Sequence, residues 1–119
     1  MSFLIVLVLA SASVLPAQAP IPVQNAVPRA SAENGKKLYV ARGCWQCHGY
    51  AAQGGTAGPR LAPRPIAWPA FSKYVRQPTG DMIPYTTKMI AEQELADIYA
   101  FLLTLPPPPP VSSIPQLRD

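Results

Sequence analysis

The stretch Gly43-Cys44-Trp45-Gln46-Cys47-His48-Gly49 places two cysteines three positions apart, with a histidine directly after the second. C-x-x-C-H in that form is the attachment signature of c-type haem. Thiols at this spacing can add across the two vinyl groups of one haem, and the imidazole then lies beneath the iron as its proximal ligand. Cys44 and Cys47 are the chain's two cysteines and His48 its one histidine, so one haem accounts for every residue of both types. A bare C-x-x-C also serves as a redox dithiol, a local disulfide or half of a zinc site. A structural zinc site takes four N or S ligands, against three candidates packed here into five residues. A thioredoxin-like dithiol sits among strands, and the chain has no such run. The reading carried outward is one covalently held haem c, attached at Cys44 and Cys47, with His48 as an axial iron ligand.

On the N-terminal side, Ser31-Ala32-Glu33 offers a helix N-cap followed by an acidic first turn. Ala32, Gly35, Leu38 and Tyr39 recur at helical spacing, and Gly43 ends the helix just before the first cysteine. Gly35 inside a helix costs about 1 kcal/mol relative to alanine. With Tyr39 on the same face, that glycine is read as the place where another helix comes close.

On the C-terminal side, Gly49 to Pro69 is punctuated by glycine and proline and predicts a loop. A structureless loop of this length is unusual in a small domain, but a haem provides something for it to wrap. Ala70 to Gln77 predicts a short helix with Phe71, Tyr74 and Val75 inward, ended by Pro78 and Gly80. Glu92 to Leu105 is the clearest helix, with Leu95, Ile98, Tyr99, Leu102 and Leu105 in one apolar stripe and Glu92 and Glu94 at its positive end. Ala91 stands where Ser or Asp would cap better, a deficit of about 1 kcal/mol.

A haem with one histidine ligand needs an account of its other face. The candidates are Met1, Met82, Met89 and the lysines, since no second histidine exists. Met89 sits at the start of the last helix, where methionine usually packs. Met82 lies in Gly80-Asp81-Met82-Ile83-Pro84-Tyr85, a non-helical stretch bounded by glycine and proline. Such a loop can present a thioether free of helix geometry, so Met82 is the preferred second ligand.

The ends differ in composition from the middle. Phe3 to Ala10 is continuously apolar, too short to span a bilayer, and resembles the core of a secretory signal. It lacks a positively charged start, and Ala17-Gln18-Ala19 is followed by Pro20, a poor residue for cleavage. Residues 1–19 are therefore expected to be a signal or an N-terminal anchor, and 20–30 a proline-containing linker. Residues 31–105 form the domain, and 106–119, opening with five consecutive prolines, an extended tail expected to be disordered. Export suits the chemistry, because in gram-negative bacteria haem is attached covalently outside the cytoplasmic membrane. The expected location is periplasmic, with membrane contact if the N-terminal segment is retained. Charged residues make up 13% of the chain and the formal net charge is +4, a mild basic bias that suits an acidic partner but is ordinary in a secreted protein, and an exported chain of this charge is not expected to bind nucleic acid.

Taken together, Ser31 to Leu105 resembles the class I c-type cytochromes, in particular the small single-haem bacterial members. Gly58-Pro59-Arg60-Leu61 is similar to the family's G-P-x-L turn. The resemblance implies that the Pro59 carbonyl accepts the proximal histidine's N–H and that Leu61 packs on the haem. Met82-Ile83-Pro84-Tyr85 resembles the segment bearing the axial methionine, which also places Tyr85 in the haem pocket, although Ile83 stands where proline is common. The last helix resembles the one that crosses the first near Gly35. The implied fold is all-α, three to four short helices around one haem.

The implied function is one-electron transfer without substrate chemistry, between a donor dehydrogenase or quinol-oxidising complex and an acceptor oxidase or reductase. Lys36, Lys37, Arg42 and Lys73 could steer an acidic partner, or they could be solvated surface charges. Two other readings stay open: a cytochrome subunit docked in a periplasmic dehydrogenase or oxidase complex, and a gas sensor or catalyst whose distal ligand leaves the iron.

Overall fold

A computed structural model of the chain describes residues 28–117. The expected export segment 1–19, most of the linker 20–30 and the last two residues lie outside the described residues. Among those described, the order is α1 (Ala32–Ala41), α2 (Cys44–His48), α3 (Trp68–Arg76) and α4 (Glu92–Thr104), followed by single turns of 3-10 helix at Val111–Ser113 and Pro115–Leu117. No described helix is long and apolar enough to cross a membrane. The architecture is all-α, and one isolated bridge between Gly55 and Gly58 is the sole β-type pairing among the described residues.

α1 begins where its cap residue dictates, with the Ser31 hydroxyl accepting the Asn34 N–H at 3.2 Å. It stops at Gly43, whose φ of 77° is a left-handed conformation that costs glycine nothing. α4 carries the predicted stripe: Leu95, Ile98, Tyr99 and Leu102 are buried and Leu105 is half-buried. Burying each of these aliphatic side chains contributes roughly 1.5–3 kcal/mol. Ala91 supplies no side-chain cap, yet Glu94 reaches back to accept the Ala91 N–H at 2.8 Å. That hydrogen bond first, and Arg42 second, hold the Glu94 carboxyl below its ordinary range.

α1 and α4 cross in contact at Gly35. A Cβ built there would overlap the Asp97 carbonyl and stand 2.9 Å from the Ile98 nitrogen. The crossing is clasped by buried Asp97. Its carboxylate accepts the Ser31 N–H at 2.8 Å, Asn34 Nδ2 at 2.7 Å and Gln93 Nε2 at 3.1 Å. Burial pushes this carboxyl up, and those hydrogen bonds outweigh burial, so it sits below its ordinary value of 3.8.

α3 corrects the expected helix in two respects. It starts at Trp68, with Pro69 in its first turn, where proline's missing N–H is harmless. Its buried residues are Trp68, Phe71 and Val75, while Tyr74, 39% exposed, lines the cavity described below. Trp68 and Phe71 both pack against Tyr99 of α4, at ring-centroid distances of 5.4 and 5.0 Å. Apolar residues at i, i+3 and i+7 make one face, and Tyr74 falls beside it.

Candidate functional site

The five residues of α2 hold Cys44, Cys47 and His48 on one short helical turn. Two buried tyrosines fix it at either end. The Tyr39 hydroxyl donates to the Gly49 carbonyl at 2.8 Å, just after His48. The Tyr85 hydroxyl donates to the Arg42 carbonyl at 2.9 Å, just before Gly43. Burial, and then the neighbouring cysteines, push both phenols up from their ordinary value, so they remain donors at any physiological pH. Cys44 is half-buried and its thiol is pushed up to about 11 by burial, while Cys47 is exposed.

His48 is 7% exposed. Its Nδ1 lies 2.8 Å from the Pro59 carbonyl oxygen. A carbonyl only accepts, so this contact requires the Nδ1–H tautomer and leaves the Nε2 lone pair free for a metal. The loop is folded to bring Pro59 there. Gly54 N–H donates to the His48 carbonyl at 2.8 Å, and the Leu61 and Ala62 N–H groups donate to the Ala52 carbonyl at 2.9 and 3.2 Å. Gly54, with φ of 79°, lets the Pro59–Arg60 backbone cross close beside it. Gly58 makes room for the imidazole: a Cβ there would stand 3.1 Å from both Nδ1 and Cε1 of His48.

Met82 is half-buried in the segment between α3 and α4, packed against the core. This segment, α2, the Gly58–Leu61 turn and the inner faces of α3 and α4 enclose a cavity of about 620 Å³. Cys44, Cys47, His48, Pro59, Leu61, Met82 and Tyr85 all line it, so the structure brings the seven sequence-predicted site residues to one place. Apolar side chains from the helices, among them Phe71, Leu95, Ile98 and Leu102, form much of its wall. Clefts of this size accept a large, mostly apolar ligand. The donor set, two thiols, one oriented imidazole and one thioether, together with the space left by Gly58, fits a covalently attached haem.

Several contributors escaped the sequence reading. Ile66, Arg64 and Arg60 also line the cavity, and Ile66 is 54% exposed. Trp45, inside the C-x-x-C, stacks on Tyr50 with centroids 4.4 Å apart. Trp68 had a legible signal in its spacing to Phe71 and Val75, whereas Asp97 and Arg76 had none, because their partners lie in other elements. Of the four cations considered for steering, Lys37 is paired with Glu33 and Arg42 with Glu94, each at 3.0 Å.

Compared with known proteins, the chain matches a family model described as cytochrome C oxidase, cbb3-type, subunit III over residues 30–102, more than half its length. No curated protein and no solved structure matches it.

Proposed function

The chain thus belongs to the cytochrome C oxidase, cbb3-type, subunit III family, and from that premise we propose that it is a single-haem, one-electron carrier between periplasmic or membrane-bound redox partners. It has the all-α cytochrome c fold and a covalently bound haem c with iron, and it is an electron-transfer protein that works with redox partner proteins. Haem c supplies a reversible one-electron couple. In the proposal Cys44 and Cys47 would hold it by thioether bonds, and His48 and Met82 would be the ligands to its iron.

The observation that carries the reading is one cavity into which an oriented imidazole and a thioether both reach, beside two thiols. The Pro59 carbonyl holds His48 in one tautomer and increases its basicity. A thioether as the second ligand would favour ferrous iron relative to a second imidazole and raise the potential. The two tyrosine hydroxyls keep α2 from shifting, so little needs to rearrange when the charge on the iron changes. Attachment also supports a domain of this size, whose own core would be marginal.

The test is to express the chain in a host that attaches haem, reduce it and add CO. An unchanged visible spectrum is expected of a closed, six-coordinate iron. Rapid adduct formation would remove Met82 from the iron and turn the reading towards sensing or catalysis. The family match also favours a second form of the same function, a subunit held in an oxidase complex; co-purification with an oxidase from native membranes separates it from a free carrier. An exported, periplasmic location fits the apolar Phe3–Ala10 segment and the site of covalent haem attachment.

A further inference from the structure

The segment that carries Met82 is held from outside itself. From Gly80 to Pro84, no side chain makes a hydrogen bond to any described residue. Position 83 is isoleucine, which lines the cavity, so no proline ring stiffens the residue after Met82. Both flanks, in contrast, are pinned to α3. The Tyr74 hydroxyl donates to the Thr79 carbonyl at 3.1 Å. Tyr85 N–H donates to the Val75 carbonyl at 3.0 Å.

Arg76 does the most. Its Nη1 donates to the carbonyls of Tyr85 at 2.9 Å and Thr86 at 3.2 Å, and its Nη2 meets Glu92 Oε2 of α4 at 3.1 Å. The side chain is 16% exposed, against 57% for Glu92, and its Nε is buried with no partner among the described residues. An exposed ion pair contributes little, and a buried unsatisfied N–H destabilises. The arrangement therefore does more than form an ion pair. It is well explained as a planar fork that reaches two consecutive carbonyls and a carboxylate, which lysine's single nitrogen cannot do.

We infer that Arg76 is a positioning residue that clamps the C-terminal flank of the Met82 loop between α3 and α4 and thereby holds the thioether in the cavity. This rests on Met82 being the second iron ligand. Tyr85 extends the same clamp across the site, since its hydroxyl reaches the Arg42 carbonyl ahead of α2. Loosening Arg76 thus frees the distal loop first and leaves His48, held by Pro59, in place.

The experiment compares haem-loaded, full-length wild type with Arg76→Ala, Arg76→Lys and Asp97→Asn. The readouts are the ferric iron–thioether absorption band, the rate of CO binding to the reduced protein, the midpoint potential and thermal stability. Wild type is expected to show the band and bind CO slowly. Both Arg76 variants should weaken the band, lower the potential and bind CO about tenfold faster, the change in an opening equilibrium that losing one or two net hydrogen bonds produces. Asp97→Asn, which disturbs the α1–α4 clasp instead, should lose thermal stability yet keep the band and the slow CO reaction. If Arg76→Ala does not fold, Arg76→Lys decides alone, because it keeps the charge and the aliphatic stem. Wild-type bands and CO rates in the Arg76 variants overturn the inference, as does an equal acceleration in Asp97→Asn. A wild type that lacks the band and binds CO at once overturns the Met82 assignment and the inference with it, a result read without any variant.

Discussion

Gly35→Ala should destabilise the protein although alanine is the better helix former. On propensity alone the substitution gains about 1 kcal/mol. The crossing reverses that sign. The added methyl would overlap the Asp97 carbonyl and sit 2.9 Å from the Ile98 nitrogen. Both are backbone atoms, so no rotamer change relieves the overlap, and α1 and α4 must part by on the order of 1 Å in an interior packed like a crystal. Overpacking of this kind costs roughly 1–3 kcal/mol, and a backbone overlap belongs at the upper end. Parting the helices also stretches the hydrogen bonds from Ser31 and Asn34 to Asp97, at about 1 kcal/mol more. The net loss is about 3 kcal/mol, which in a domain of this size lowers the melting midpoint by roughly 12–24 °C. Thermal unfolding of the haem-loaded protein followed by far-ultraviolet circular dichroism measures it. A Gly35→Ala protein as stable as wild type, or more so, would refute the close crossing.

Two further perturbations test other parts of the reasoning. The Asp97 carboxyl is held below 3.8 in the folded chain, so its contribution is fully present above that value and is lost as pH falls through the folded pKa. Asp97→Asn should lower stability near neutral pH by roughly 1.5–3 kcal/mol, and the gap from wild type should close on acidification; a gap unchanged down to strong acid would show that the charge is irrelevant. Gly58→Ala presses a methyl against the His48 ring, 3.1 Å from Nδ1 and Cε1 and 3.0 Å from the Cys47 carbonyl. Tilting the ring weakens the Pro59 hydrogen bond by about 1 kcal/mol, and a less basic ligand raises the potential by about 40 mV. Potentiometric titration reads this directly, and an unchanged potential would mean that the Pro59 bond does not tune the iron.

Much of the site was legible because its information is local. Cys44, Cys47 and His48 fall within five residues, and helix geometry converts that spacing into a cluster without help from the rest of the chain. The place of Met82 at the cavity was legible for a related reason, since a methionine between glycine and proline outside any helix has few structural roles. α4 was legible from the period of its apolar residues, and α1 from its Ser31 cap and Gly43 stop. The start of α3 was misplaced because Trp68-Pro69 was counted with the loop before it, although proline in a first turn opens a helix as readily as it breaks one.

The sequence by itself determined the cofactor chemistry and the apolar faces of α1 and α4, because these follow from residue type and short-range spacing, and its resemblance to the class I c-type cytochromes implied the all-α class. Tertiary structure decided what those groups do to one another. Asp97 looks like an ordinary polar position on α4 until the fold delivers Ser31 and Asn34, more than sixty positions away, to its carboxylate. Arg76 looks like a surface cation at a helix end until the chain turns back and offers it two carbonyls and Glu92. Lys37 and Arg42, which a charge count leaves free to steer a partner, are instead paired within the molecule. Partnership across long sequence separation is set by where the elements pack, and packing depends on the whole core at once.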